Sequence, residues 1–125
     1  MVDVANVMGA RPDGWWRDRA AAAARLHGEI ARLAASGRPV LPGDGGAPAF
    51  VMVLEGAARA AASRIGDGPV RVVQARRSGD DAIVALLGGL AGRRVVVTAD
   101  RGLRARSLAA GAEVRAPGWL LGLLR

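Results

Sequence analysis

Apolar positions along the chain alternate between strand-like and helix-like spacing. Val2, Val4 and Val7 predict a first strand over 2–8. Pro12, Asp13 and Gly14 then mark a loop over 9–14. A long helix is expected over 15–36, where Leu26, Ile30 and Leu33 fall at i, i+4 and i+7 and would face a core. Arg25, Glu29 and Arg32 lie on its other face, at spacings where they could pair with one another. Gly37 suits the helix's left-handed exit. Residues 38–48 are rich in Gly and Pro without periodicity, and are the segment expected to be mobile.

The second half repeats the alternation. The unbroken apolar run 49–54 (AFVMVL) predicts a strand covered on both faces. An alanine-rich helix over 55–64 and a turn over 66–69 lead to a third strand over 70–75. A helix over 80–90 opens on Asp80 and Asp81, residues suited to capping. A β-branched fourth strand spans 95–99, and a helix over 101–110 closes at Gly111. A short fifth strand over 113–115 precedes a last helical turn or two, opened by Pro117 and running to Leu124. Strands alternating with helices predict an α/β fold, one parallel sheet covered on both faces. With 125 residues, no repeat, no heptad and no linker, the chain is expected to be one domain over 1–125.

Composition narrows the chemistry. All 18 basic residues are arginine, against 11 acids, for a formal net charge of +7. The absence of lysine excludes a Walker phosphate loop, a Schiff base and a receiver-domain lysine. The absence of cysteine excludes a thiol nucleophile, disulfides and sulfur-ligated metals. A single histidine, His27, cannot build a multi-histidine zinc site, and it reads as a surface or packing residue. A haloacid-dehalogenase phosphatase would want an aspartate where Ala5 stands, and a lysine. What remains is carboxylate chemistry, most simply the holding of a hard cation such as Mg2+ or Mn2+. The arginine excess fits a polyanionic partner, or equally the codon bias of a GC-rich genome. The start of the chain has no basic region followed by an apolar run, and the longest apolar stretch, Ala82 to Ala91, is too short to span a bilayer. A cytoplasmic protein with no membrane partner is expected.

In open parallel sheets, ligands bind outside the carboxyl ends of the strands. Asp3 lies in the first strand, Glu55 follows the second, Asp80 and Asp81 follow the third, and Asp100 follows the fourth. Asn6 adds a neutral oxygen after the first strand. Taken singly, Asp80, Asp81 and Asp100 could be helix caps, and Glu55 could begin an exposed helix. Together they put a carboxylate from each of four strands at one edge, an arrangement that divalent cations relieve and that metal-dependent phosphodiester hydrolysis uses. Arg11, Arg17, Arg19, Arg76, Arg77, Arg101 and Arg104 flank these acids and are either a phosphate track or solvated surface. Trp15 and Trp16 are either a base-stacking pair or packing residues, and Trp119 reads as core.

Three motifs occur in order: DVANVMG at 3–9, SGDDAIVALL at 78–87 and VVVTADRGLRARSLAAGAEV at 95–114. Across almost the whole chain they resemble the NYN domain of the PIN-like ribonuclease superfamily, nearest its small bacterial YacP-like members. The resemblance implies a sheet of order 3-2-1-4-5 and a metal-dependent ribonuclease. It implies Asp3, Asp80 and Asp100 as metal-binding acids, with Asn6 beside them and Asp81 assisting Asp80. Val4 and Ala5 replace the family's glycine-tyrosine pair. Only Met1 and Val2 precede Asp3, so either a natural start upstream of Met1 or a clipped first strand is expected. The expected function is Mg2+- or Mn2+-dependent hydrolysis of RNA. The alternatives are a catalytically inactive RNA-binding module of the same fold, or a ribonuclease toxin of a toxin–antitoxin pair. The apolar C-terminal segment suggests a homodimer.

Overall fold

The computed structural model describes residues 1–43 and 48–125. Residues 44–47, part of the segment expected to be mobile, lie outside the described residues. The chain builds five parallel strands: β1 (Val2–Asp3), β2 (Phe50–Leu54), β3 (Val70–Gln74), β4 (Val95–Val97) and β5 (Glu113–Arg115). Their order is β3-β2-β1-β4-β5, as expected. The helices are α1 (Val4–Gly9), α2 (Arg19–Ala35), α3 (Gly79–Gly88), α4 (Arg101–Ala109) and α5 (Pro117–Leu123). Two 3-10 segments, Trp15–Arg17 and Gly56–Arg64, complete the described elements.

Side chains alternate across the sheet and build a core on each face. Val2, Phe50, Met52, Leu54, Val70 and Val97 meet α1, α2, α5 and the 3-10 segment at 56–64. Val53, Ala75 and Val96 meet Ile83 and Leu87 of α3 and Leu103 of α4. Leu26, Ile30 and Leu33 are buried in the first core, as their spacing requires. Each fully buried side chain of this size contributes about 2 kcal/mol.

Strand β1 is far shorter than expected, because the backbone turns helical at Val4. Val4, Val7 and Met8 fall at i, i+3 and i+4, and all three are buried. That is helical spacing, which an alternating reading of the valines overlooks. The region 15–36 is likewise not one helix. Asp18 interrupts it and caps α2 by accepting from the Ala21 N–H at 2.9 Å. Glu29 pairs with neither of its helix neighbours. It takes both Nη atoms of Arg11, at 2.7 and 2.8 Å, and so fastens the segment after α1 to α2. Arg25 reaches Asp13 instead, at 3.8 Å.

Helices α3 and α4 are joined at their carboxyl ends by Arg94. Its Nη1 donates to the Leu87 carbonyl and its Nη2 to the Ala110 carbonyl, both at 2.8 Å. A cation there meets the negative ends of two helix dipoles. Gly111, at φ +84°, leaves room for it, since a Cβ at that position would sit 3.0 Å from Nη2. No helix among the described residues is long and apolar enough to cross a membrane.

Candidate functional site at the carboxyl edge of the sheet

The strand order reverses between β1 and β4, because the chain builds outward through β2 and β3 before returning to β4 on the other side. This switch point is where open α/β sheets place ligands. Asp3 ends β1 there. It is 2% exposed, unusual for a carboxylate. Two donors hold its Oδ2: Asn6 Nδ2 at 2.9 Å and Thr98 Oγ1 at 2.8 Å. Asn6 can reach back because α1 begins directly after Asp3, which puts it one turn up the helix. Its Oδ1 accepts from the Ala99 N–H at 3.2 Å, stitching α1 to the end of β4.

Thr98 is the residue that sequence reasoning passed over. It is 1% exposed and sits one position past β4. Its hydroxyl donates to Asp3 and accepts from the Asp100 N–H at 3.1 Å, linking two of the acids through one side chain. The available signal was the chain's only threonine, placed between an apolar strand and an aspartate.

The other acids are each partly occupied in building the edge. Asp100 caps α4, its Oδ1 accepting from the Leu103 N–H at 2.7 Å. Glu55 Oε2 accepts from the Gly79 N–H at 2.7 Å and so anchors the start of α3. A Cβ at Gly79 would stand 3.3 Å from the Glu55 carboxyl carbon, so a larger residue there would push that carboxylate aside. Ser78, rather than Asp80 or Asp81, caps α3, accepting from the Asp81 N–H at 3.2 Å. Asp81 leans away to Arg106 Nη1 at 2.9 Å. Asp80 makes none of these bonds.

Electrostatics tie four of the acids together. Burial raises the pKa of Asp3, the Thr98 hydroxyl and the Asn6 backbone N–H pull it back, and the charges of Asp80 and Glu55 raise it further. Burial also raises Asp80, reinforced by Asp100 and Glu55 and opposed by Arg106. Carboxylates from the first four strand ends therefore feel one another, and the pair nearest the centre resists ionising.

An all-oxygen donor set of this kind suits Mg2+ or Mn2+. Among the described residues, however, no group of three or more His, Asp or Glu side chains is placed to hold a metal ion together. Mg2+ is commonly held by one or two carboxylates with water completing its shell, a mode that does not need three protein ligands at one point.

The flanking arginines divide into two groups. Arg11 is committed to Glu29. Arg17, Arg19, Arg76, Arg77, Arg101 and Arg104 are exposed and have no ion pair among the described residues. His27 lies half-buried on α2, its pKa lowered by burial. Trp119 is part-buried against the first core. An apolar hollow of about 300 Å³, lined by Val40, Leu41, Phe50, Leu90, Val95 and Trp119 among others, opens at the opposite edge of the sheet, and among the described residues no carboxylate lines it.

Fold and edge together define an α/β protein with an acidic switch point. Compared with known family models, curated proteins and solved structures, the chain matches none. The NYN resemblance thus rests on the three motifs alone.

Proposed function

We propose that the chain is a divalent-metal-dependent ribonuclease that hydrolyses RNA phosphodiester bonds at the acidic edge. The observation that carries the reading is the buried Asp3 at the switch point, its pKa raised by burial and further by the facing acids Asp80 and Glu55. A protein that only needed stability gains nothing from burying a carboxylate among like charges. Asp3, Asp80 and Asp100 would hold the ion. When bound, Mg2+ or Mn2+ would offset their repulsion, stabilise charge on the phosphate and acidify a water. Asn6 and Thr98 hold the Asp3 carboxylate at one orientation, with both bonds on Oδ2. Asp81, held by Arg106, supports the start of α3. Arg76, Arg77, Arg101 and Arg104, which have no ion pair among the described residues, would bind flanking phosphates, which makes binding weaken with salt.

A second reading has its own support. Asp100 and Glu55 both serve as backbone acceptors, and no three acids close on one point among the described residues. An RNA-binding module with this fold and no chemistry would look the same.

Cleavage of labelled single-stranded and structured RNA in Mg2+, Mn2+ or EDTA separates the two. Wild type should cleave only with metal. Asp100→Asn keeps an oxygen for the Leu103 N–H, so α4 stays capped, yet it should lose about 100-fold or more in rate. Metal-independent cleavage, or an Asp100→Asn variant as active as wild type, overturns the assignment. Salt-sensitive RNA binding with no turnover in any metal selects the second reading.

A further inference from the structure

The segment after α1 carries a pair of indoles in contrasting environments. Trp15 is part-buried against the first core, with its Cζ2 3.9 Å from where a Cβ on Gly9 would stand. Trp16 is 54% exposed, the equal of any large apolar side chain on the described surface. The two rings meet edge to face at 90°, with centroids 5.9 Å apart. Trp15 thus serves as the wall that sets the plane of Trp16. The backbone is held from both sides: Gly14 turns at φ +78°, Asp13 accepts from the Trp15 N–H at 3.2 Å, and Asp18 caps the helix that follows.

Two cations frame the rings. The Arg17 guanidinium lies over the Trp16 ring, 5.8 Å from its centroid, and that of Arg19 over the Trp15 ring, 5.4 Å from its centroid, so a stacked base would take the Trp16 face away from Arg17. Neither has an ion pair among the described residues. The position in the fold also matters. Helix α1 leaves the carboxyl end of β1, the indoles follow, and α2 runs back toward the start of β2. The pair therefore stands at the same end of the sheet as Asp3.

An exposed flat ring, a fixed plane and guanidiniums with no acidic partner among the described residues are the ingredients of a platform for nucleic acid bases. A duplex keeps its bases stacked inside, so only an unpaired base can use such a ring. We propose that Trp16 stacks an unpaired base of single-stranded RNA while Arg17 and Arg19 contact the adjoining phosphates. This rests on the ribonuclease reading above and deepens it by assigning the residues that would grip the strand beside the acidic edge.

The test is fluorescence anisotropy of the full chain in EDTA with three labelled ligands: a short single-stranded RNA, its duplex, and an abasic strand of equal charge. Trp16→Ala should weaken single-strand binding about 10-fold, the effect of losing one stacked base. Its salt slope should not change, because no phosphate contact is lost. Trp16→Phe should restore most of the affinity. Duplex and abasic-strand binding should not respond to either variant. Wild-type affinity in Trp16→Ala, or an equal loss on all three ligands, overturns the proposal. Self-association that disappears in Trp16→Ala while RNA binding persists would assign the ring to a second copy of the chain, which also overturns it. Base stacking by Trp16 without metal-dependent cleavage would sink the ribonuclease reading alone. Cleavage by a Trp16→Ala variant that binds as wild type would sink the stacking proposal alone.

Discussion

Thr98→Val gives the sharpest test of how the edge is held together. The substitution keeps the β-branched shape and removes only the hydroxyl. Asp3 then loses the donor at 2.8 Å, and the Asp100 N–H loses its acceptor at 3.1 Å. A hydrogen bond to a charged group is worth about 1.5–3 kcal/mol, so a loss of about 2 kcal/mol is expected at neutral pH. For a chain of this length that corresponds to a fall in Tm of about 8 °C. The loss should also depend on pH in a definite direction. Burial lifts the folded-state pKa of Asp3 above its unfolded value, and Thr98 is the largest influence opposing that rise. A carboxyl with a raised folded pKa favours the folded state most at low pH, and that advantage disappears as pH climbs through the raised value. Removing Thr98 raises the folded pKa further. The deficit of the variant should therefore be small in acid, widen as pH rises through the raised pKa of Asp3, and level off above it. Urea denaturation across that range, wild type beside variant, reads the difference directly. A deficit that is constant with pH, or absent at neutral pH, would refute the claim that Thr98 stabilises a charged Asp3.

Two further outcomes follow from the same geometry. Asp3→Asn removes the buried charge but keeps an oxygen for Asn6 and Thr98. At neutral pH it should be at least as stable as wild type in urea, with the gap closing in acid, while metal-dependent RNA cleavage is lost. Greater destabilisation at neutral than at acid pH would contradict the cost assigned to the Asp3 charge. Arg94→Met removes two donors from the carboxyl ends of α3 and α4, at a cost of about 2–4 kcal/mol. Amide exchange should accelerate in the last turns of both helices first, and unchanged protection there would show that Arg94 does not join them.

Much of this architecture is local and hence legible in sequence. The apolar run 49–54 and the β-branched 95–97 could only be strands inside a covered sheet, and Leu26, Ile30 and Leu33 announce the buried face of α2. The acids could be assigned to one edge because strand ends in a parallel sheet share a direction. What escaped was set by contacts distant in the chain. Glu29 had two arginines within its own helix, yet the bidentate partner came from 18 residues away. Thr98 meets Asp3 across a separation of 95 residues, a pairing that only the adjacency of β1 and β4 creates. The first strand reads too long because Val2 and Val4 alternate, whereas the odd step from Val4 to Val7 and the burial of Met8 belong to the helix.

The Arg94 clamp has a mechanical meaning. Helices α3 and α4 begin beside Asp80 and Asp100 and end on a single guanidinium. At their other ends the Gly79 and Leu103 N–H groups are taken by Glu55 and Asp100. Both helices are thus fastened head and tail, so the spacing of Asp80 and Asp100 is set by the packed framework and not by the loops between the elements.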